Sequence, residues 1–249
     1  MKIGIFDSGV GGLTVLKSLL ENKLFQEIIY YGDTARVPYG TKDKNTIIRY
    51  SLDALEFFKN FDIDILIVAC NSVSAYALDE LRANADFEVV GVIESGVLAT
   101  AKLDLKSDDN ILVLGTKATI NSNRYQDGLH NIGLDNISTC TPSLFVPLVE
   151  EGLFDGNTTE TIIKHYFDDI KLEPKAVILG CTHFPLLQKP IQEYFQKASI
   201  IHSGDAISDY LKSKYNIDKR FDDTKLSFFA TENPDNLKAI AKKWLKLDN

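Results

Sequence analysis

The chain has 249 residues, of which 45% are hydrophobic, enough to fill the core of one large or two small globular domains. Its formal net charge is -8 and its lysines are scattered, so nucleic acid is not expected as a direct ligand. Backbone N–H groups can still make a pocket locally electropositive. The sequence shows neither a signal peptide at its start nor a run of about eighteen apolar residues, so we expect a cytoplasmic protein that does not enter a membrane.

Short apolar segments alternate with helical patterns from the first residues onward. Leucines at Leu13, Leu16 and Leu19 recur at helical spacing, and Asn233 and Pro234 predict the start of a terminal amphipathic helix. Because the apolar segments are short and end in small or polar residues, they are interpreted as buried parallel strands. These segments are Lys2–Phe6, Ile28–Tyr31, Ile63–Ala69, Val89–Ile93, Ile111–Leu114, Ala176–Leu179 and Ile200–His202. The pattern predicts an α/β protein with helices on both faces of its sheets.

The two halves of the sequence echo each other. Ile65–Ser72 matches Ala176–His183, since each is an apolar strand followed by a small residue, a cysteine and then hydroxyl or amide groups. Ile3–Ser8 matches Ile111–Thr116 with nearly the same offset. Ligands of open parallel sheets gather at the carboxyl ends of the strands. We therefore expect these strand ends to face each other across a cleft.

This internal repeat predicts two pseudo-symmetric, doubly wound α/β domains with mainly parallel sheets and an active site in the cleft between them. The first domain is expected to comprise residues 1–97 and to be completed by residues 208–249. The second is expected to comprise residues 98–207. In such an arrangement Cys70 and Cys181 would approach a bound molecule from opposite sides, which is what inversion of a stereocentre requires.

The three cysteines cannot all pair and show no metal-finger spacing, so free thiols are expected. A lone free cysteine is most often a small buried hydrophobic residue. Cys70 and Cys181 favour chemistry because they follow matched strands, whereas Cys140 lacks such a context and is interpreted as structural. A free thiol titrates near ~8.5, so a working base needs a partner that takes its proton or stabilises its thiolate.

The segment Asp7–Gly12 follows a strand and opens a helix, so it offers backbone N–H groups to a carboxylate or a phosphate. It is neither the glycine fingerprint of dinucleotide-binding folds nor a P-loop, whose lysine is missing. The alternative is a glycine-rich turn that only lets the chain pack closely. Asp7 favours a functional role, because a carboxylate at the end of a strand has no obvious packing purpose.

Three further features have both a functional and an ordinary interpretation. His183 follows Cys181 at metal-ligand spacing, but no other ligands stand nearby, so we expect no metal and interpret His183 as support for the thiol. The turn-like segment Arg36–Gly40 can supply a phenol and a backbone donor to a ligand, or be an ordinary loop. Glu150 and Glu151 end an apolar segment, and solvated surface is the default interpretation for such a pair.

Six motifs occur in a fixed order along the chain: DSGVGG, DTARVPYG, VACNS, GVIE, LGTKAT and GCTHFPLL. In this order and spacing, and over nearly the whole chain, the sequence resembles the glutamate racemases of the bacterial cell-wall pathway. The resemblance implies two similar α/β domains with the site between them, no cofactor, and D-glutamate as a product used in peptidoglycan synthesis. A homodimer is left open as the assembly.

The resemblance also assigns roles to residues of this sequence. The family's two bases fall on Cys70, expected to act on D-glutamate, and on Cys181, expected to act on L-glutamate. Asp7 would assist Cys70, while Glu150 and His183 would assist Cys181. The implied substrate contacts are Asp7, Ser8, Tyr39, Gly40, Asn71, Ser72, Thr182 and His183, with Thr116 and Thr119 as further candidates for carboxylate contacts.

Two positions depart from the family's pattern. Ser72 stands where threonine is more usual, which keeps the hydroxyl, and Ser95 stands where proline is more usual.

Other functions stay open. The same scaffold suits an aspartate racemase or an acidic amino-acid racemase of broad specificity. Outside enzymes, a two-lobed small-molecule sensor would share the architecture, although the paired strand-end thiols argue against it. A pyridoxal enzyme would need a Schiff-base lysine, for which the sequence offers no placed candidate.

Overall fold

The computed structural model describes residues 1–170, 173–217 and 220–245. Over these ranges strands and helices alternate along the chain. The strands are β1 (Lys2–Asp7), β2 (Glu27–Gly32), β3 (Ile65–Val68), β4 (Glu88–Gly91), β5 (Ile111–Gly115), β6 (Ile137–Cys140), β7 (Ala176–Gly180), β8 (Ser199–His202) and β9 (Lys225–Ala230). The alternation matches the predicted fold class, and the seven strands expected from the sequence are all present, with ends that shift by one or two residues.

The helices lie between these strands, as expected for crossover connections between parallel strands. They are α1 (Leu13–Glu21), α2 (Lys44–Phe58), α3 (Asn71–Tyr76), α4 (Leu78–Asn84), α5 (Val92–Ala101), α6 (Lys117–Asn121), α7 (Arg124–Asn131), α8 (Phe145–Glu150), α9 (Asn157–Phe167), α10 (Gln188–Tyr194), α11 (Ser203–Tyr215) and α12 (Pro234–Leu245), with 3₁₀ turns at Tyr39–Thr41 and Phe184–Leu187. None of the helices in the described ranges is long and apolar enough to cross a membrane.

The strands form two separate parallel sheets. The first has the order β4-β3-β1-β2-β9 and the second the order β6-β5-β7-β8. Every strand pair in both sheets is parallel. The α/β class with two parallel sheets is thereby confirmed. Parallel strands end at the same edge of a sheet, so the polar residues that follow β1 and β3 come together, as do those that follow β5 and β7.

Both faces of the first sheet are covered by helices, which explains the unbroken apolar runs of its strands. Leu16 of α1 and Leu237 of α12 pack in the core on one face, and Leu55 and Phe58 of α2 pack in the core on the other. The second sheet likewise lies between two apolar clusters, with Phe167 of α9 in one of them. Each fully buried side chain of this size stabilises the fold by roughly 1.5–3 kcal/mol.

Two strands were not expected from the sequence, and both lie at sheet edges. β9 pairs with β2 at one edge of the first sheet, and β6 pairs with β5 at one edge of the second. Edge strands are covered on fewer sides, so β6 has the mixed sequence ISTC instead of an apolar run. The interpretation of Cys140 as a residue without a strand-end context is wrong, because Cys140 ends β6. It differs from the other two cysteines in being only half-buried at the sheet edge.

The end of the described chain is attached to the first sheet. Asn233 caps α12 as expected, since its Oδ1 accepts a hydrogen bond of 3.2 Å from the backbone N–H of Asn236. α12 packs on α1 and on β9. The division into residues 1–97 with 208–249 and residues 98–207 stays a prediction. Its two inner boundaries fall inside α5 and α11.

Candidate active site

Four strands bring polar residues to one region between the two sheets. Asp7 ends β1, Cys70 follows β3 after one residue, Thr116 follows β5 and Cys181 follows β7. Hydrogen bonds connect these strand ends across the two halves. The hydroxyl of Thr182 donates to Oδ1 of Asp7 over 3.3 Å, and the hydroxyl of Thr14 donates to the carbonyl of Thr182 over 2.8 Å. The two sheet edges therefore meet where β1 and β7 end, as predicted.

Cys70 lies almost fully buried beside Ser8, with its Sγ 3.5 Å from the Ser8 hydroxyl. Burial, then the charge of Asp7 and, to a smaller extent, the charge of Cys181 raise the pKa of the Cys70 thiol to about 12. Hydrogen bonding between Cys70 and Ser8 opposes these effects. Cys70 is thus a protonated thiol at neutral pH. Cys181 is close enough for its charge to act on Cys70.

Asp7 is completely buried between the two halves. Burial raises the pKa of its carboxyl, against the opposing effects of the charge of His183 and of hydrogen bonds from the N–H groups of Gly9 and Gly12. The Gly9 N–H lies 2.9 Å from Oδ2 of Asp7. The glycine-rich turn therefore donates these two N–H groups to Asp7 itself, and binding of an anion by the rest of the turn stays a prediction.

Cys181 has a histidine beside it, and that histidine contacts a glutamate. Its Sγ lies 3.9 Å from Nδ1 of His183, and Nε2 of the same ring lies 3.2 Å from Oε1 of Glu150. The second distance suits an ion pair, although the alignment is not that of a hydrogen bond. Burial lowers the pKa of His183, but the hydrogen bond to Cys181, the short contact with Glu150 and the charges of Cys181 and Asp7 outweigh it and raise that pKa to about 10. Glu150 therefore contacts His183 and does not only face solvent.

Hydroxyl groups from both halves form a chain beside the thiols. Ser72 Oγ lies 2.9 Å from Thr116 Oγ1, which lies 3.1 Å from Thr119 Oγ1. Gly40 packs against the same threonine, since a Cβ at position 40 would stand 2.6 Å from the Cβ of Thr116. The structure thus brings together Gly40, Ser72, Thr116 and Thr119, all of which the sequence singled out.

Asn71 and Tyr39 each form a hydrogen bond with a residue that the sequence did not suggest. The phenol of Tyr125 donates a 2.8 Å hydrogen bond to Oδ1 of Asn71. The phenol of Tyr39 donates to the buried carboxylate of Asp33, which also accepts a hydrogen bond from Thr231. Tyr125 occupies an ordinary apolar position of a helix, and Asp33 follows a strand in the DTARVPYG motif. Only Asp33 could have been recognised from the sequence as a candidate site residue, because it is a carboxylate directly after a strand.

The residues of the site do not form a metal-binding cluster. Among the described residues, no group of three or more His, Cys, Asp and Glu side chains is arranged to hold a metal ion.

The family model of Asp/Glu/Hydantoin racemases matches residues 13–211 of the chain. The glutamate racemase of a Nitratiruptor species is 59% identical over 247 residues, covering 99% of this chain and 97% of the relative. The chain belongs to the glutamate racemase family. This membership confirms the resemblance drawn from the six motifs.

Solved structures of glutamate racemases share the fold over the whole chain. The crystal structure of the Campylobacter jejuni subsp. jejuni enzyme has a TM-score of 0.97 and 55% identity, covering 100% of both chains. The Francisella tularensis subsp. tularensis enzyme, solved in complex with D-glutamate, has a TM-score of 0.88 and 31% identity, covering 99% of this chain and 94% of the other. Glutamate racemases are isomerases that act on amino acids, and this chain is one of that class of enzyme.

Proposed function

We propose that this chain interconverts L-glutamate and D-glutamate without a cofactor, that Cys70 and Cys181 transfer the protons, and that the D-glutamate is used in peptidoglycan synthesis. The observation that carries the proposal is the pair of buried thiols where the ends of β1 and β7 meet, Cys181 in contact with His183 and Cys70 under the influence of the charge of Asp7. Relatives named glutamate racemase, and the D-glutamate bound to the Francisella enzyme, support glutamate as the substrate.

The first proton transfer from L-glutamate is assigned to Cys181. His183 carries a positive charge at neutral pH because its pKa is about 10, and it lies 3.9 Å from the Cys181 sulfur. We assign to His183, the ionisable side chain in contact with the Cys181 sulfur, the support of that thiol as a base. The thiolate takes the α-proton, so the C–H bond breaks, an S–H bond forms, and the electron pair is left on the α-carbon beside the carboxylate.

The second transfer is assigned to Cys70, which is still protonated at neutral pH since its pKa is about 12. Its S–H bond breaks, the proton is delivered to the opposite face of the α-carbon, and D-glutamate results. The enzyme is left with Cys70 as the thiolate and Cys181 as the thiol. This is the state from which D-glutamate is deprotonated, and we assign the exchange of the proton there to Asp7, whose charge acts on Cys70.

Preorganised donors stabilise the charge that develops on the α-carboxylate during these steps. We assign this role and the binding of the side-chain carboxylate to the polar groups at the strand ends, namely Ser8, Asn71, Ser72, Thr182, Thr116 and Thr119, together with the backbone at Tyr39 and Gly40. A site with polar groups spaced for glutamate leaves some of them unpaired with the shorter aspartate. We therefore expect kcat/KM for glutamate to exceed that for aspartate by at least ~100-fold.

Circular dichroism of L- and D-glutamate incubated with purified protein tests the proposal. We expect racemisation in both directions, unchanged by a chelator and without added pyridoxal phosphate. Equal kcat/KM values for aspartate and glutamate would establish a racemase of broad specificity instead. Binding of glutamate without turnover would establish a two-lobed sensor, and activity that is lost on dialysis against EDTA and restored by a divalent ion would refute the cofactor-free mechanism.

Alanine variants test the two thiols. Cys70→Ala and Cys181→Ala are each expected to abolish racemisation in both directions, because every turnover needs a base on one face and an acid on the other. Cys140→Ala is the matched control and should stay active, since Cys140 lies half-buried at the edge of the second sheet. Full activity of either site variant would refute the two-base mechanism. The proposal places this reaction in the cytoplasm, where free thiols persist.

A further inference from the structure

Asn71 is a buried amide with one of its two polar atoms unpartnered. It begins α3 directly after Cys70, and only 2% of it is exposed. Its Oδ1 accepts the hydrogen bond from Tyr125, whereas its Nδ2 has no hydrogen-bond partner within the described part of the chain. A buried N–H group without an acceptor is unfavourable, so such a group needs a specific explanation.

Tyr125 fixes which way this amide faces. It belongs to α7 in the second half of the chain and is fully buried. Its ring lies close to Gly96 and Gly180, where a Cβ would stand 3.1 Å from ring carbons, so the ring has little room to shift. Burial raises the pKa of the phenol above its usual value, which keeps the O–H a donor at all physiological pH values. In the observed arrangement the phenol donates to Oδ1 of Asn71, so that Nδ2 is not the atom that pairs with Tyr125.

The hydrogen bond between Tyr125 and Asn71 adjoins the site through the neighbours of Asn71 in the chain. The neighbours of Asn71 in the chain are Cys70 and Ser72, both of which contact other site residues. The charge of Cys181 also raises the pKa of Tyr125, so the phenol lies within electrostatic reach of the second thiol. The acceptor missing for Nδ2 is therefore one that a ligand in the site can supply, and glutamate carries two carboxylates.

We propose that Tyr125 is a positioning residue of the racemase, which holds the Asn71 amide with its Nδ2 toward a carboxylate of the bound substrate. The inference rests on the proposed function, because it takes glutamate as the ligand. It adds a contribution of the second half of the chain to a substrate contact made by the first half. The carboxylate is charged before any proton moves, so the contact stabilises the bound substrate and the transition state alike and acts on KM more than on kcat.

Replacing Tyr125 by phenylalanine removes only the hydroxyl. We expect KM for both enantiomers to rise about 10-fold, as for a lost hydrogen bond to a charged group, while kcat stays within about 3-fold of the wild type. Titration calorimetry with D-glutamate should show a matching loss of affinity, and it reports binding even if turnover is absent. Tyr194→Phe is the matched control, because it removes a hydroxyl that donates to Asp168 outside the site; its KM should be unchanged.

A coupling measurement separates positioning from a structural role. In an Asn71→Ala background, Tyr125→Phe should change KM by less than about 2-fold, because the amide that it positions is gone. If Tyr125→Phe fails to fold, Asn71→Asp keeps the acceptor for Tyr125 but removes the donor, and its KM should rise at least as much. An unchanged KM in Tyr125→Phe, an undiminished effect in the Asn71→Ala background, or an unchanged KM in Asn71→Asp would each overturn the inference. A wild-type chain that binds glutamate without racemising it would refute the proposed function alone.

Discussion

Gly11 lies so close to Thr182 that the two halves can meet there only because position 11 has no side chain. A Cβ at this position would overlap the Thr182 hydroxyl and stand 2.6 Å from Nδ1 of His183. Gly11→Ala is therefore expected to displace both side chains and to reduce kcat/KM by about 100-fold or more, as misplaced catalytic groups do. Circular dichroism assays of racemisation would measure this loss.

Gly128→Ala is the control for this prediction. A Cβ at position 128 would meet only the side chain of Val97, at 2.8 Å, in the packing of α7 on α5. This variant should lose some stability and keep its KM for glutamate. An active Gly11→Ala enzyme would show that Thr182 and His183 need not keep their observed positions.

Asp7→Asn is expected to be more stable than the wild type and inactive. Burial raises the pKa of Asp7, so the contribution of this group to the free energy of unfolding is fully present below its ordinary pKa of 3.8 and is lost as the pH rises through the higher value in the fold. The asparagine variant mimics the protonated carboxyl and should gain about 1 kcal/mol at pH 7. Urea unfolding at pH 4 and pH 7 would measure this gain, which should be smaller at pH 4.

Asp62→Asn is the control, because the Asp62 side chain is fully exposed. Its free energy of unfolding should stay within about 0.5 kcal/mol of the wild type at both pH values. A destabilised Asp7→Asn protein would mean that the hydrogen bonds accepted by the carboxylate outweigh the cost of burying its charge.

The sequence predicted the parts of the fold that periodicity encodes. β1, β3, β5 and β7 are buried on both sides, so their apolar runs stand out. β6 and β9 lie at sheet edges and contain no fully buried residue, so their sequences carry little pattern, whereas the edge strands β4 and β8 keep buried apolar residues and were predicted. The division into domains stays a prediction, and its inner boundaries fall inside α5 and α11.

Some residues of the candidate site could be predicted from the sequence and others could not. Cys70, Cys181 and Asp7 could be found because they lie at strand ends, where polar or reactive residues are conspicuous. Tyr125 could not be found, since its position in α7 is that of any buried aromatic residue and its hydrogen bond to Asn71 depends on how the two halves pack. The pairing of Glu150 with His183 is likewise a tertiary contact, and the sequence alone favoured solvated surface for Glu150.

Glu150→Gln tests the ion pair with His183 through its pH dependence. The pKa of His183 is raised from 6.5 to about 10, so the stability linked to this group is fully present below pH 6.5 and is lost as the pH rises through about 10. Because the Glu150 side chain is half exposed, the variant should lose only about 1 kcal/mol at pH 7. Chemical unfolding at several pH values should show the difference disappearing above about pH 10.

Glu151→Gln is the matched control for this experiment, since Glu151 is adjacent in the chain and exposed. Its unfolding free energy should differ from that of the wild type by less than about 0.5 kcal/mol over the same pH range. A loss in Glu150→Gln that does not change with pH would show that Glu150 stabilises the fold without pairing with the histidine.

Serine variants test which thiol serves which face of the substrate. A hydroxyl is a poor base but can still deliver a proton, so a serine should impair the step in which the thiolate abstracts a proton more than the step in which the thiol donates one. Cys181→Ser should therefore mainly impair deprotonation of L-glutamate, where the His183 cation supports the thiolate. Cys70→Ser should mainly impair deprotonation of D-glutamate.

Washout of the α-hydrogen into deuterated solvent, measured separately from each pure enantiomer, distinguishes the two effects. Each serine variant should slow washout from its own enantiomer by at least ~100-fold, the order of a lost general base, and slow washout from the other enantiomer much less. Reversed selectivity would exchange the roles of Cys70 and Cys181. Equal impairment in both directions would mean that the protonated state of Cys70 and the cation beside Cys181 do not decide which enantiomer each thiol deprotonates.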